Sequence, residues 1–321
     1  MPLVDVVIVN YNAGPYLRRA IHALQEQTFR DFRIIIVDNA STDNSLSELP
    51  TGDVDVKVVR IERNLGFAAG NNVAISHYVD AEWVALLNPD AFPRPEWLER
   101  LLRAAAADPT FTFFGCKMLD ASDNARLDGV GDVFHVSGLH WREGHGCLNS
   151  STYGHSTEIF APCAAAALYR VRDVMAVGGF DEDFFCYSED VDLGFRLRLA
   201  GHRCLYVADA EVEHVGSGIT GTHSDFSLYH GHRNLVWTYV KNVPAPYFWI
   251  YLPYHILLNV CSLCVFTLRR RGTPVWRAKR DALLKLPYFW RKRRVVQAIR
   301  RVPAASIRRY MQGGLPTRSC K

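Results

Sequence analysis

The 321-residue chain has little of what would assign it quickly. Its first residues, MPLVDVVIVNYNAG, carry no basic stretch ahead of the apolar run, so no secretory signal is expected there. Net charge is only +4, too weak to argue for nucleic acid, and none is expected as a partner. The sequence NLGFAAGNN is glycine-rich but has no GxGxxG spacing, so a dinucleotide fingerprint is not read there. The eight cysteines are scattered. Only Cys261 and Cys264 form a CxxC, and no second pair is spaced to complete a four-ligand zinc site. All eight are expected to be small buried hydrophobes in a reducing cytoplasm. The tract 242–268 contains no charged residue at all.

What is present is an alternation of apolar runs and amphipathic stretches. Residues 4–9, 33–37, 56–61 and 82–87 read as strands. Residues 14–27, 67–78 and 95–107 read as helices, with Asn64 a plausible cap for the second and Pro95 in the first turn of the third. Near-continuous apolar strands separated by helices indicate a parallel sheet covered on both faces. Ligands of such sheets bind at the carboxyl ends of the strands. Asn10-Tyr11-Asn12, Asp38-Asn39, Arg63-Asn64 and Asn88-Pro89-Asp90 all fall at such ends. In the last of these, LLNPDAFP, two prolines stop the strand and leave one carboxylate, Asp90, at its tip.

The middle of the chain, about 111–170, is less regular. It ends in APCAAAALYR, whose small side chains suit close packing beneath a ligand. Ser188 is expected to cap a helix running to Ala200, closed by Gly201, with Glu189 and Asp190 ionised in its first turn. From Arg269 onward the tail is strongly basic. For 242–268 three readings compete. A spanning helix is one. Helices in the plane of the membrane surface are the second, favoured by the aromatics and the basic run that follows. A buried subdomain or oligomer contact is the third. Three prolines, Pro244, Pro246 and Pro253, interrupt the tract in its first half.

Taken in order, VVIVNYNAG (6–14), VDNASTDNS (37–45), NLGFAAGNN (64–72), LLNPDA (86–91), GGFDEDFFCYSEDVDLGFRLRLAG (178–201) and VEHVGSGITG (212–221) resemble glycosyltransferase family 2. The likeness covers residues 1 to about 240. NPDA in place of DxD, with ED-VDL-x-x-R downstream, looks most like bacterial rhamnosyltransferases. The resemblance implies a GT-A fold: a Rossmann-like, mostly parallel central sheet with helices on both faces. It implies a domain at 1–240, followed by a helical, apolar and basic appendage at 241–321 that associates with a membrane or forms a homo-oligomer.

It also implies an inverting, metal-dependent transfer from a nucleotide-diphospho-sugar. The first expectation for the donor is dTDP-rhamnose, and a UDP-hexose is the second. The acceptor is expected to be a lipid-linked or lipopolysaccharide saccharide, and the enzyme peripheral at the inner face of the plasma membrane. By this likeness Asp190 is the general base and Glu189 orients the acceptor. Asn10, Asp38, Asn64, Asn88 and Asp90 line the donor site. Asp90 and His214 hold Mg²⁺ or Mn²⁺, a pairing made necessary because NPDA offers a single acid. Arg233, with His230, is expected to close over the diphosphate as part of a lid at 216–234. Two rivals stand beside this. A non-catalytic nucleotide-sugar-binding scaffold sits poorly with intact Asp90 and Asp190. A nucleotidyltransferase would need a basic phosphate loop, and NYNAGPY has neither Lys nor Arg.

Overall fold

In the computed structural model, residues 2–47, 49–50, 52–216, 224–315 and 320 are described. The chain runs β1 (Val4–Asn10), α1 (Pro15–Gln25), β2 (Phe32–Asp38), β3 (Val56–Arg60), α2 (Gly66–His77), β4 (Trp83–Leu87), β5 (Ala91–Pro93) and α3 (Trp97–Ala107). Next come β6 (Phe111–Asp120), β7 (Asp123–Gly129), β8 (Asp132–His135), β9 (His140–Arg142), β10 (Thr157–Glu158), β11 (Ala166–Arg170), α4 (Val171–Ala176), α5 (Glu189–Leu199) and β12 (Arg203–His214). The remainder is α6 (Asp225–Asn242), α7 (Tyr247–Leu268), α8 (Gly272–Leu284), α9 (Leu286–Ala298), α10 (Ala304–Tyr310) and β13 (Met311–Gln312).

The main sheet has the order β10-β12-β6-β11-β4-β1-β2-β3. Every residue of β1 is buried, as a strand covered on both faces requires. Strands β1, β2, β3 and β4 pair in parallel, as expected. Beyond β4 the sheet becomes mixed: β11 runs antiparallel to both β4 and β6, while β12 runs parallel to β6. One apolar cluster joins α1 and α3 to one face, including Leu17, Ile21, Trp97 and Leu101. A second, with Ala68, Ile75, Leu193 and Leu197, joins α2 and α5 to the other.

The boundary expected at residue 240 falls inside α6. The core is continuous across it: Phe134, Phe160 and Phe195 pack in one cluster with Phe248, Phe289, Ile307 and Met311. Strand β13 even pairs with β8. The C-terminal helices are therefore built onto the sheet domain through a shared core.

Four further expectations need correction. Ser188 takes a left-handed conformation (φ 65°) and makes no cap bond; its hydroxyl pairs with His140 Nε2 at 2.7 Å. The prolines do not break 242–268 into pieces. Pro246 precedes α7 and Pro253 sits inside it, costing a backbone bond without ending the helix. Only Phe248 and His255 of α7 are buried, so the buried-subdomain reading fails for this tract within the chain. Finally, Cys147 and Cys320 are joined by a disulfide, with 5.4 Å between their Cα atoms. The chain end returns beside the loop at 144–148 after 173 residues, a meeting that no local spacing reveals.

Candidate active site at the carboxyl ends of the strands

Parallel register brings the first pair together. Asn10 and Asp38 are Cα partners at the ends of β1 and β2. Asn10 Nδ2 donates to Asp38 Oδ1 at 3.0 Å and to the hydroxyls of Ser41 and Ser45 at 3.0 and 2.9 Å. Asn10 Oδ1 is buried without a hydrogen-bond partner among the described residues. Next to this pair, Asn39 ties β2 to the start of α2. It donates to Gly66 O at 3.1 Å and accepts from Leu65 N at 2.8 Å. Asn64 lies one residue ahead of the N-cap position, Leu65; its Oδ1 accepts from Gly66 N at 2.8 Å, a turn that leads into α2. Gly66 sits at φ 85°, and a Cβ there would meet Phe185 O at 2.5 Å, so only glycine fits the turn.

Asp90 and His214 meet for a topological reason. After β4 stops at Leu87, the chain turns at Asn88 (its carbonyl accepts from Ala91 N at 3.1 Å) and re-enters as β5. Strand β5 pairs antiparallel with the end of β12, which sets Ala91 opposite His214. Val215 N also donates to Asp90 O at 3.0 Å. The result is that His214 Nε2 faces Asp90 Oδ1 at 3.4 Å, with both side chains about 5% exposed.

The other imidazole nitrogen, Nδ1, lies 2.8 Å from Asp128 Oδ2. Asp128 in turn bonds the Arg142 guanidinium, which also donates to Cys163 Sγ at 2.8 Å. Burial works against the charge on Asp128, but Arg142, then His145 and His214, hold its carboxyl well below the ordinary range. Burial likewise opposes a charged His214. The hydrogen bonds and charges of Asp128 and Asp90 outweigh it and raise the imidazole to about 9.

This geometry poses a chemical question. With the Nδ1 proton given to Asp128, the Nε2 lone pair points at a carboxylate, and Nε2 has no hydrogen-bond partner among the described residues. Two lone-pair carriers facing each other in a buried pocket need a cation between them, either a proton or a metal ion. One oxygen and one imidazole nitrogen fit a divalent cation, though not a complete shell. Among the described residues no three His, Cys, Asp or Glu side chains gather as a metal site. Were such a cation bound, its remaining positions would be left to ligand and water oxygens, as is usual for Mg²⁺.

The first turn of α5 borders the same place. Asp190 Oδ2 accepts from Ala164 N at 3.2 Å and Oδ1 from Val191 N at 2.8 Å. The next residue, Ala165, accepts from Asn88 N at 2.8 Å. Cys163, Ala164 and Ala165 therefore link Arg142, Asp190 and Asn88. The small-residue run lies beneath the site, as its composition suggested. Glu189 departs from expectation. It is buried, its Oε2 has no partner among the described residues, and burial with Asp190 and Asp132 nearby pushes its carboxyl well up. Burial thus opposes the ionisation that the helix dipole alone would favour.

Arg233 is not extended toward Asp90. Its guanidinium lies over the Trp237 ring at 4.2 Å and donates to the carbonyls of Asp183 and Phe184 at 3.1 and 3.0 Å. His230 stacks on Phe185, with centroids 5.4 Å apart, and burial together with Arg233 lowers its imidazole to about 4. Residues 217–223 of the expected lid at 216–234, which include His223, lie outside the described residues, and its part from Asp225 on is the start of α6. Sequence reasoning missed Asp128, Asp132, His140 and Arg142. All come from the irregular middle, where nothing marks a charged residue as inward-facing.

Comparisons with known proteins speak to the family and the fold. The family model described as "Glycosyl transferase family 2" matches residues 5–143, and "Glycosyl transferase family group 2" matches residues 83–276. The chain is 30% identical over 245 residues to an N-acetylglucosaminyl-diphospho-decaprenol L-rhamnosyltransferase of Mycobacterium tuberculosis, covering 68% of this chain and 78% of that protein. It is 32% identical over 212 residues to the pre-mycofactocin glycosyltransferase of the same organism, covering 66% of this chain and 42% of that one. Among solved structures, the mannosyltransferase PcManGT of Pyrobaculum calidifontis, in complex with GDP-Man and Mn²⁺, superposes with a TM-score of 0.57 at 17% identity. That match covers 93% of this chain and 86% of that one. S. aureus TarS 1–349, in complex with UDP-GlcNAc, gives 0.58 at 17% identity, covering 96% and 92%. These structural likenesses speak to the fold alone.

Proposed function

The chain belongs to glycosyltransferase family 2, and from that premise we propose an inverting, divalent-metal-dependent transfer of a sugar from a nucleotide-diphospho-sugar to a lipid-linked saccharide. The observation that supports the metal is the buried Asp90–His214 pair, whose Oδ1 and Nε2 face each other at 3.4 Å, where a divalent cation would take the place of the Nε2 proton. The cation supplies charge that offsets the departing diphosphate. Asn10 and Asp38, fixed to each other, recognise the nucleoside part of the donor. Asp90 and His214 would hold the cation, beside Asn88, at the diphosphate end of the donor.

The acceptor approaches over Ala164 and Ala165. There Asp190, held by two backbone N–H groups, removes the hydroxyl proton as the oxygen attacks the anomeric carbon from the face opposite the leaving group. Glu189, in the same turn, orients the acceptor. Rhamnose is the favoured sugar, on the strength of the mycobacterial rhamnosyltransferase likeness, and synthesis of cell-envelope glycan is the setting.

The exposed side of α7 supports work at a membrane surface. Trp249, Ile250, Tyr254, Ile256, Leu257, Val260 and Val265 face water along it. Arg269, Arg270 and Arg271 follow directly, where phosphate headgroups would lie. An exposed apolar stripe beside a cluster of cations suits a helix in the plane of the inner leaflet.

A donor panel scored by thermal shift with Mn²⁺ tests this reading. dTDP-rhamnose, UDP-glucose, UDP-GlcNAc and GDP-mannose are compared. The true donor raises the transition in proportion to its affinity, and only with the metal present. No shift with any of them, with Mn²⁺ present, defeats the proposal.

A further inference from the structure

The stretch that delivers Asp190 is strained. Phe185, Tyr187 and Ser188 all have positive φ, at 68°, 67° and 65°, and none is glycine. Such residues persist only where their surroundings over-determine them, and they cluster at functional sites. Something must therefore hold residues 184–188 against relaxation, immediately ahead of Glu189 and Asp190.

The holder is a pair of adjacent residues on α6. Asn234 is fully buried, and its Nδ2 lies 3.0, 2.9 and 2.7 Å from the carbonyl oxygens of Phe184, Cys186 and Tyr187. A primary amide has two protons, so one of them is shared. Arg233 fixes the orientation of that amide: its Nε donates to Asn234 Oδ1 at 2.9 Å, which leaves Nδ2 no other direction. The same guanidinium then reaches the carbonyls of Asp183 and Phe184. Two side chains thus gather the peptide carbonyls of 183, 184, 186 and 187. Further along, α6 grips α5 itself. Asn242 Nδ2 donates to Asp192 Oδ1 at 2.7 Å, and Lys241 bridges Asp192 and Asp181 at 2.6 Å each.

We propose that Arg233 and Asn234 form a positioning clamp that keeps the left-handed turn 185–188 wound and so aims the Asp190 carboxylate at the acceptor. Neither residue touches substrate. This rests on the reading of Asp190 as the base. It replaces the expectation that Arg233 closes over the diphosphate, since the guanidinium is already committed to peptide carbonyls.

The test is a double-mutant cycle on the full chain, following release of dTDP from dTDP-rhamnose, or of UDP from UDP-glucose, with Mn²⁺. Asn234→Ala lowers kcat by about 10²-fold, the usual cost of a misplaced catalytic group, with the donor KM and the affinity for the Mn²⁺–nucleotide unchanged within about threefold. In an Asp190→Asn background the same substitution produces no further loss, because the clamp acts through that carboxylate alone. Hydrogen exchange at residues 184–190 accelerates while β1 to β4 stay protected. Should Asn234→Ala fail to fold, Arg233→Ala, which leaves the amide in place, takes its role with a loss of about tenfold. An unchanged kcat, a rise in KM alone, or losses that multiply in the double mutant overturn the clamp. Asp190→Asn with wild-type rate overturns the assignment of the base, and with it the clamp; the single variants tell the two failures apart.

Discussion

Helices α6 and α7 follow one another with four residues between them, and they treat water in opposite ways. α6 carries His230, Asn234, Thr238, Lys241 and Asn242, and buries all five. α7 is overwhelmingly apolar and buries only Phe248 and His255. Composition alone predicts the reverse, since Asn and Lys are rarely buried and aliphatic side chains usually are. The difference has a physical account on each side. The buried polar side chains of α6 have partners: Asn234 its carbonyls, Lys241 its two aspartates, Asn242 the carboxylate of Asp192. Burial there fixes the α5 turn in place. α7 has no comparable partner among the described residues, so its apolar face remains available to lipid.

The largest expected effect lies on α6. Lys241→Ala removes the buried cation that bridges Asp192 and Asp181, leaving Asp192 with Arg196 and Asn242 and Asp181 with Lys292, and costs about 3 kcal/mol of stability in urea unfolding. A loss below about 1 kcal/mol would mean that the α6 pairs are incidental. On α7 the opposite holds. Ile256→Glu, Leu257→Glu and Val260→Glu together abolish binding to anionic vesicles. Each loses about 1.5 kcal/mol or more of insertion energy, yet release of nucleotide in solution stays within about twofold. If that triple variant unfolds instead, the exposed face is core after all and the contrast collapses.

A third test concerns a buried polar group outside these helices. Burial alone would lower His214 from its ordinary 6.5, but Asp128 and Asp90 outweigh it and raise the imidazole to about 9. In metal-free protein its stabilisation is complete below pH 6.5 and is lost as pH climbs through about 9, an effect of up to about 3 kcal/mol. Unfolding free energy should fall across that window, and Asp128→Asn should flatten the slope. The smallest effect is expected at Asn64→Ala, which removes the bond to Gly66 N and costs about 1 kcal/mol in thermal unfolding.

The same contrast explains what could be read from the sequence. The first four strands and three helices repeat a pattern in which local periodicity and burial agree, so β1 to β4 and the polar residues at their ends were legible within one or two positions. The pairing of Asp90 with His214 needed the family likeness, because β5 and β12 lie far apart along the chain and meet only in the folded sheet. Asp128 and Arg142 could not be found at all. They sit on short, polar strands, β7 and β9, whose charged residues look like any solvated surface in the sequence, and only the folded structure turns them inward. Arg233, expected to close over a diphosphate, donates instead to the carbonyls of Asp183 and Phe184. Its residue type suits phosphate, yet a neighbouring strained turn offers it carbonyls first.

The account depends most on a divalent cation bound between Asp90 and His214. Electron spin-echo spectroscopy of Mn²⁺ bound to the full chain in the presence of dTDP measures this directly. One coupled ¹⁴N nucleus should appear in the wild type and vanish in His214→Gln, with the Mn²⁺ affinity falling by about 10-fold or more. A Mn²⁺ signal without nitrogen coupling, or one that His214→Gln leaves unchanged, would contradict the site as described.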